Sequence, residues 1–227
     1  MKLLLWLAMS LTSVAADEVV HHPAPKDPVY LNKALYSSIR KELPALPKKG
    51  SAKQKADEAS LRDWQSKRTE KDCERAREEM LVNLENFFGR PNGPVEVAEI
   101  QQWSLLFAQV RNDADYFVQK MKKDYPRDRP FAYLKGIEPC IPKEVTKAYP
   151  SGHTLISRLY ALMLSDLRPA WKEQLNKRAN QIAEDRVLAG MHHPTDIEAG
   201  TKMAEVIYRE LKKSEKYQED FRKAQSF

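Results

Sequence analysis

Apolar residues recur along most of this chain at steps of three and four, the spacing of one buried face on an α-helix. From Ala52 to about Phe88 the face is marked by Leu61, Trp64, Cys73, Ala76, Met80, Leu81 and Leu84, and Gly89 to Pro94 breaks it. From Val95 to about Tyr125 it resumes through Ile100, Trp103, Leu106, Phe107, Val110, Phe117 and Met121. Residues 126–150 are irregular and punctuated by prolines. A helix is predicted from Thr154 to just before Pro169, on Ile156, Leu159, Tyr160, Met163 and Leu167. Another covers Ala170 to about Met191, through Trp171, Leu175, Ile182 and Leu188. The last predicted helix starts at Pro194 or Thr195 and ends near Lys213, with Pro194 where proline suits a first turn. No strand-like alternation and no internal repeat is present. The pattern predicts an all-α, single-domain helical bundle, and the scarcity of glycine, 7 in 227 residues, agrees with it.

The two ends of the pattern differ from its middle. Lys2 precedes an apolar run, Leu3 to Leu11, and Val14-Ala15-Ala16 places small residues before Asp17. This layout predicts a secretory signal peptide at 1–16, cut after Ala16. The Pro-rich stretch Asp17 to Pro28, which holds His21 and His22, reads as an extended arm, with a short helix near Leu31 to Lys41. The chain divides into a signal peptide (1–16), an N-terminal arm (17–42) and a helical domain (43–227). A periplasmic or secreted location follows, with no membrane span after cleavage, since no later stretch approaches 18 uninterrupted apolar residues. In an oxidising compartment Cys73 and Cys140, the two cysteines present, are expected to pair; two buried free thiols are the alternative.

Charge excludes one class of partner. The net charge is +6, falling to +5 without Lys2, and both signs interleave through the chain. A nucleic-acid surface would need a basic stripe with interleaved aromatics, and none is found. The modest positive balance suits an anionic small-molecule substrate.

Three short segments carry polar groups for which a helical core has no use. Pro150-Ser151-Gly152-His153 directly precedes a predicted helix. Free N–H groups and the positive end of a helix dipole attract phosphate there, Ser151 adds a hydroxyl, and His153 adds an acid–base group. Taken alone it also reads as a serine cap beside an incidental histidine. Arg186 is followed by His192 and Asp196, and a carboxylate four residues from an imidazole can hold one ring nitrogen as N–H and leave the other free. His193 lacks that four-residue step. Lys122 and Arg129, the latter followed by Pro130, bridge a helix end and a loop and would by themselves mean only solvated charge.

In this order and spacing the ten residues of Lys122-x6-Arg129-Pro130, Pro150-Ser151-Gly152-His153 and Arg186-x5-His192-x3-Asp196 resemble the three-part signature of the PAP2-type acid phosphatases. Segments 43–59 (LPALPKKGSAKQKADEA), 124–131 (DYPRDRPF) and 137–142 (IEPCIP) are similar to the bacterial class A nonspecific acid phosphatases. The chain departs from the pattern at Asp185, where the signature usually has serine; this carboxylate would either weaken the positive field or point away. The resemblance implies a metal-independent hydrolase of small phosphomonoesters with no cofactor, and a homo-oligomer. It implies that Lys122, Arg129, Ser151, Gly152 and Arg186 bind phosphate. His192 would attack phosphorus to form a phosphohistidine, Asp196 would orient its ring, and His153 would serve as acid and then base. Transfer to an alcohol would be a side activity. A vanadium-dependent haloperoxidase shares the signature, as do membrane lipid phosphatases, and a phosphate-binding protein with decayed catalysis is the non-enzymatic alternative.

Overall fold

The computed structural model describes residues 19–20 and 24–227. The predicted signal peptide, and His21 and His22, lie outside the described residues.

Ten α-helices run among the described residues: α1 (Tyr36–Glu42), α2 (Ala52–Lys67), α3 (Glu70–Glu78), α4 (Leu84–Phe88), α5 (Val97–Asp124), α6 (Pro130–Tyr133), α7 (Gly152–Leu167), α8 (Lys172–Leu188), α9 (Pro194–Leu211) and α10 (Glu215–Gln225). The only strands among them are two-residue segments, β1 (Val19–Val20) and β2 (Lys143–Glu144), which pair in parallel. An all-α fold is what the periodicity predicted.

Helix α7 is the centre of the bundle. Its apolar residues run around most of its circumference, which suits only a surrounded helix, and Leu155, Ile156, Leu159, Tyr160, Met163, Leu164 and Leu167 are all buried. It packs most extensively against α8 and α9, with α5 also in contact. Gly200 permits the close approach of α9: a Cβ there would lie 2.6 Å from the carbonyl oxygen of Ser151. The N-terminus of α7, where Ser151 caps by accepting the Thr154 amide, is thereby clamped to the start of α9.

Three features departed from the sequence pattern. The single helix predicted from Ala52 to Phe88 is three. Thr69 and Asp72 form a reciprocal capping box that starts α3 afresh, and the Asn83 side chain caps α4. Trp64 and Cys73 lie nine residues apart, half a turn out of phase, and Leu81 is exposed, so the apolar positions of 52–88 do not mark one continuous face. Helix α10 escaped the reading because its face is short, Tyr217, Phe221 and Ala224 among charged residues; it is held by the Trp103 indole donating to the Ala224 carbonyl at 3.1 Å. The arm is extended only in part. The amides of Val29, Tyr30 and Leu31 donate to the buried carboxylate of Asp113 at 2.6, 2.8 and 2.9 Å, and Tyr30 and Leu31 enter the core before α1 forms.

Cys73 on α3 and Cys140 in the 126–150 connection form a disulfide across a separation of 67 residues. In the chain-entropy view such a loop contributes about 4 kcal/mol. The bridge ties the irregular segment to the bundle beside the candidate site.

Candidate active site

The predicted residues come from four places in the fold. Lys122 lies in the last turn of α5, Arg129 just before α6, Ser151, Gly152 and His153 at the N-terminus of α7, and Arg186, His192 and Asp196 at the end of α8 and the start of α9. The turn from α8 to α9 is made by Gly190, at φ +75°. Arg186 accepts both the Met191 and His192 amides on its carbonyl, at 3.0 and 3.1 Å, which folds His192 back over Arg186.

Of these residues Lys122, Gly152 and His153 line a cleft of about 60 Å³, together with Arg111, Asp115, Glu144 and Thr146, while Ser151 is fully buried and its hydroxyl is taken up by Thr154. A Cβ at Gly152 would meet no protein atom within 4 Å, so the amide end of α7 is left uncovered. Arg129 and Arg186 reach the cleft through Glu144. Arg129 Nη2 donates to Glu144 Oε2 and Arg186 Nη2 to Glu144 Oε1, each at 2.5 Å. Glu144 Oε1 also stands 4.0 Å from His153 Nδ1. Arg129 is further fixed by the carbonyls of Thr146 and Met191, at 2.7 and 3.1 Å. Arg186 is fully buried, and its Nε and Nη1 have no hydrogen-bond partner among the described residues. A larger groove of about 850 Å³ beside α4 and α5 contains none of the predicted site residues.

The geometry of the two adjacent histidines differs from the simple four-residue expectation. Asp196 occupies the third position of α9 and turns back to cap it. Its Oδ2 accepts the His193 amide at 2.8 Å and lies 2.9 Å from His193 Nδ1, against 3.6 Å from His192 Nδ1. The capping box brings the nearer imidazole to the carboxylate, so Asp196 touches His193 more closely than His192. His193 is nonetheless spent within the protein, since Tyr133 Oη lies 2.9 Å from its Nε2. His192 Nε2 instead accepts from Arg129 Nη1 at 3.1 Å. An arginine nitrogen can only donate, so the lone pair of His192 sits on Nε2, toward the arginines, and its proton on Nδ1, toward Asp196.

Burial first, and the Arg129 charge second, push the His192 pKa down to about 3. The ring is thus neutral at acid and neutral pH. Burial also pushes Lys122 down to about 7, with Arg129 adding to the effect. Burial acts to raise Asp196, but its contacts with His192 and His193 outweigh that and hold it well below the usual carboxylate range.

Asp185 points away from the cleft. Arg75 on α3 grips it in a two-pronged pair, Nε to Oδ2 at 2.7 Å and Nη2 to Oδ1 at 2.6 Å. Its charge is therefore matched by Arg75, although it still favours the cationic form of the neighbouring Arg186. Four other participants, Arg127, Gln54, Asp57 and Glu144, escaped the sequence reading. Arg127 is a buried hub whose Nη1 reaches Asp196 Oδ1 and Thr195 Oγ1, both at 2.7 Å, and whose Nη2 reaches Asp57 Oδ2 at 2.8 Å and Gln54 Oε1 at 2.7 Å. Asp57 also accepts the Thr195 amide at 3.1 Å. A signal for these existed: Gln54 and Asp57 share a helix face with Leu61, and polar residues on a buried face require partners. Glu144, in an irregular segment, gave none.

The sequence model of the PAP2 superfamily matches residues 103–218, just over half of the chain and all three signature segments. The chain belongs to the PAP2 superfamily. Among its PAP2 relatives, a non-specific acid phosphatase of Providencia stuartii is 31% identical over 142 residues, 60% of this chain and 56% of the relative. A non-specific acid phosphatase of Salmonella typhi is 31% identical over 159 residues, 65% of this chain and 63% of the relative. The match thus spans about three fifths of these relatives' length. Among solved structures, a transmembrane PAP2-type phosphatidylglycerolphosphate phosphatase from Bacillus subtilis superposes with a TM-score of 0.56 at 18% identity, over 79% of this chain and 90% of that one. That likeness establishes the PAP2 fold. Among the described residues of this PAP2 chain, no helix is long and apolar enough to cross a membrane, and no three His, Cys, Asp or Glu side chains gather as metal ligands would.

Proposed function

We propose that this protein is an exported acid phosphatase that hydrolyses small phosphomonoesters through a phosphohistidine, with cationic side chains in the place that metal ions take in many phosphoryl-transfer sites. The carrying observation is a fully buried arginine, Arg186, with two unused donors, beside buried Arg129 and Lys122 at an uncovered helix N-terminus. Burying three cations is costly unless anions meet them; Glu144 meets the two arginines and leaves Arg186 Nε and Nη1 without a partner among the described residues. Phosphoryl transfer is catalysed chiefly by positioning and by neutralising the non-bridging oxygens, which this cradle suits. The relatives' activity supports the same reading. Export is supported by the N-terminal sequence pattern and by the Cys73–Cys140 disulfide, a bond that persists in oxidising compartments.

In this mechanism the phosphate lies among Lys122, Arg129, Arg186 and the amides of α7. The Nε2 lone pair of His192 attacks phosphorus as the P–O ester bond breaks, and His153 gives its proton to the leaving oxygen. The imidazole then carries positive charge, which Asp196 offsets; Arg127 and the His193 amide hold that carboxylate in place. In the second step His153 takes a proton from water, the water oxygen bonds to phosphorus and the P–N bond breaks. An alcohol in place of water would give the side transfer reaction. The first test is release of p-nitrophenol from p-nitrophenyl phosphate by the mature protein in excess EDTA. Turnover at acid pH that survives EDTA is expected; a folded protein inactive from acid to neutral pH overturns the proposal.

A pH dependence follows from Lys122. With a pKa of about 7 it is cationic below that value and loses its charge as pH rises through it. Its attraction for phosphate is thus present at acid pH and fades toward alkaline pH, in the sense an acid phosphatase requires. A charge-assisted hydrogen bond is worth about 1.5–3 kcal/mol, so Lys122→Met should weaken inorganic phosphate binding about 10- to 100-fold at about pH 5 and far less at about pH 9. Calorimetric titrations at the two pH values decide it. Equal losses would show that Lys122 does not titrate in this range.

A further inference from the structure

We infer that Glu144 is the resident counter-ion of the phosphate cradle, an internal anion that the phosphomonoester must displace and that thereby sets substrate affinity. The inference rests on the phosphatase reading of the site. The Glu144 carboxylate bridges Arg129 and Arg186 with one oxygen on each, both at 2.5 Å, in the forked manner by which arginines take phosphate oxygens. It lines the same cleft as Lys122, Gly152 and His153, and its side chain is 8% exposed. An anion seated on both arginines therefore cannot share the cleft with it.

Glu144 is also placed to leave. Its backbone is set by the two-residue pairing of β2 with β1, in a segment of otherwise irregular chain, and its side chain carries rotatable bonds between that backbone and the carboxylate. When it swings away Arg129 keeps its bonds to the carbonyls of Thr146 and Met191, and so remains aimed at the cleft. In the free protein the carboxylate offsets like charges that would otherwise repel one another in a buried site. In the complex the phosphate takes over that task. The same contacts are given up whichever anion enters, so Glu144 lowers affinity for all of them alike and leaves the chemical step that follows unchanged.

The test compares full-length mature wild type, Glu144→Gln and Glu144→Ala. Three quantities are measured: the Kd of inorganic phosphate by calorimetry, KM and kcat for p-nitrophenyl phosphate, and melting temperature with and without phosphate. Both variants should bind phosphate about 10- to 100-fold more tightly, since two charge-assisted contacts no longer compete. KM should fall with Kd, and kcat should not fall. Without phosphate Glu144→Ala should melt below wild type, and saturating phosphate should raise its melting temperature by more than that of wild type. If Glu144→Ala does not fold, Glu144→Gln carries the comparison alone. Unchanged phosphate affinity in the variants, alongside lost affinity in Arg186→Ala, would leave the phosphate site standing and overturn the role of Glu144. A fall in kcat at unchanged Kd would likewise overturn it. If wild type and every variant neither bind phosphate nor release p-nitrophenol, the phosphatase reading fails and this inference with it.

Discussion

His192→Ala is expected to lower p-nitrophenyl phosphate turnover by roughly 10⁴- to 10⁶-fold, the scale on which loss of a covalent nucleophile acts. The ring nitrogen that faces the arginines is the one with a lone pair, because Arg129 donates to Nε2. Its depressed pKa, about 3, keeps that nitrogen unprotonated above that pH. The neighbouring His193 supplies the control. Both of its nitrogens are engaged, by Asp196 and Tyr133, so His193→Ala should act mainly on stability and on the placement of Asp196. Wild type quenched during turnover should carry phosphorus on histidine, detectable as an acid-labile, alkali-stable label that the His192→Ala protein lacks. Substantial residual turnover in that variant would remove His192 from the role.

The same residue gives a stability signature. In the unfolded chain a histidine titrates near pH 6.5, whereas the folded protein holds His192 neutral down to about 3. Between these values the unfolded state binds the extra proton, so stability falls as pH drops from about 6.5 toward 3. The His192→Ala protein should lose part of that dependence, which denaturant titrations across the window will measure.

Arg186→Ala is expected to lower kcat/KM by about 10²- to 10³-fold or more, by analogy with removal of one preorganised donor from an oxyanion site. The arginine is fully buried, with Nε and Nη1 unpartnered among the described residues and Nη2 on Glu144 at the cleft, so its charge is held in place as charge develops on the phosphoryl oxygens. Arg186→Lys should recover little, because an ammonium group cannot reproduce the fork. A folded Arg186→Ala protein with kcat/KM within tenfold of wild type would show that the cradle lies elsewhere.

The hydrophobic period was sufficient to place the central helices α5, α7, α8 and α9 within a few residues, because each buries a long stripe that a folded chain must cover. The same period misread 52–88, where the capping side chains of Thr69 and Asn83 restart helices that a list of apolar positions does not separate. The order and spacing of Lys122, Arg129, Ser151, Gly152, His153, Arg186, His192 and Asp196 were legible as one constellation, since each lies at or near a helix end where local chemistry is written locally. Which imidazole Asp196 would hold was not legible. Spacing favours His192, but the capping geometry of α9 turns the carboxylate toward His193.

Sequence alone therefore determined the fold class and the family signature and nominated the phosphate ligands, all of which depend on neighbours within a turn or two of helix. Only the tertiary structure decided what surrounds them. Asp185 is matched by Arg75 across 110 residues, Arg127 ties Asp57 to Asp196, and Glu144 comes to lie between Arg129 and Arg186. These pairings join charged groups from different elements. Each is fixed by how α2, α3 and the 126–150 connection pack around the ends of α7, α8 and α9, and packing across such separations leaves no period in the sequence to read.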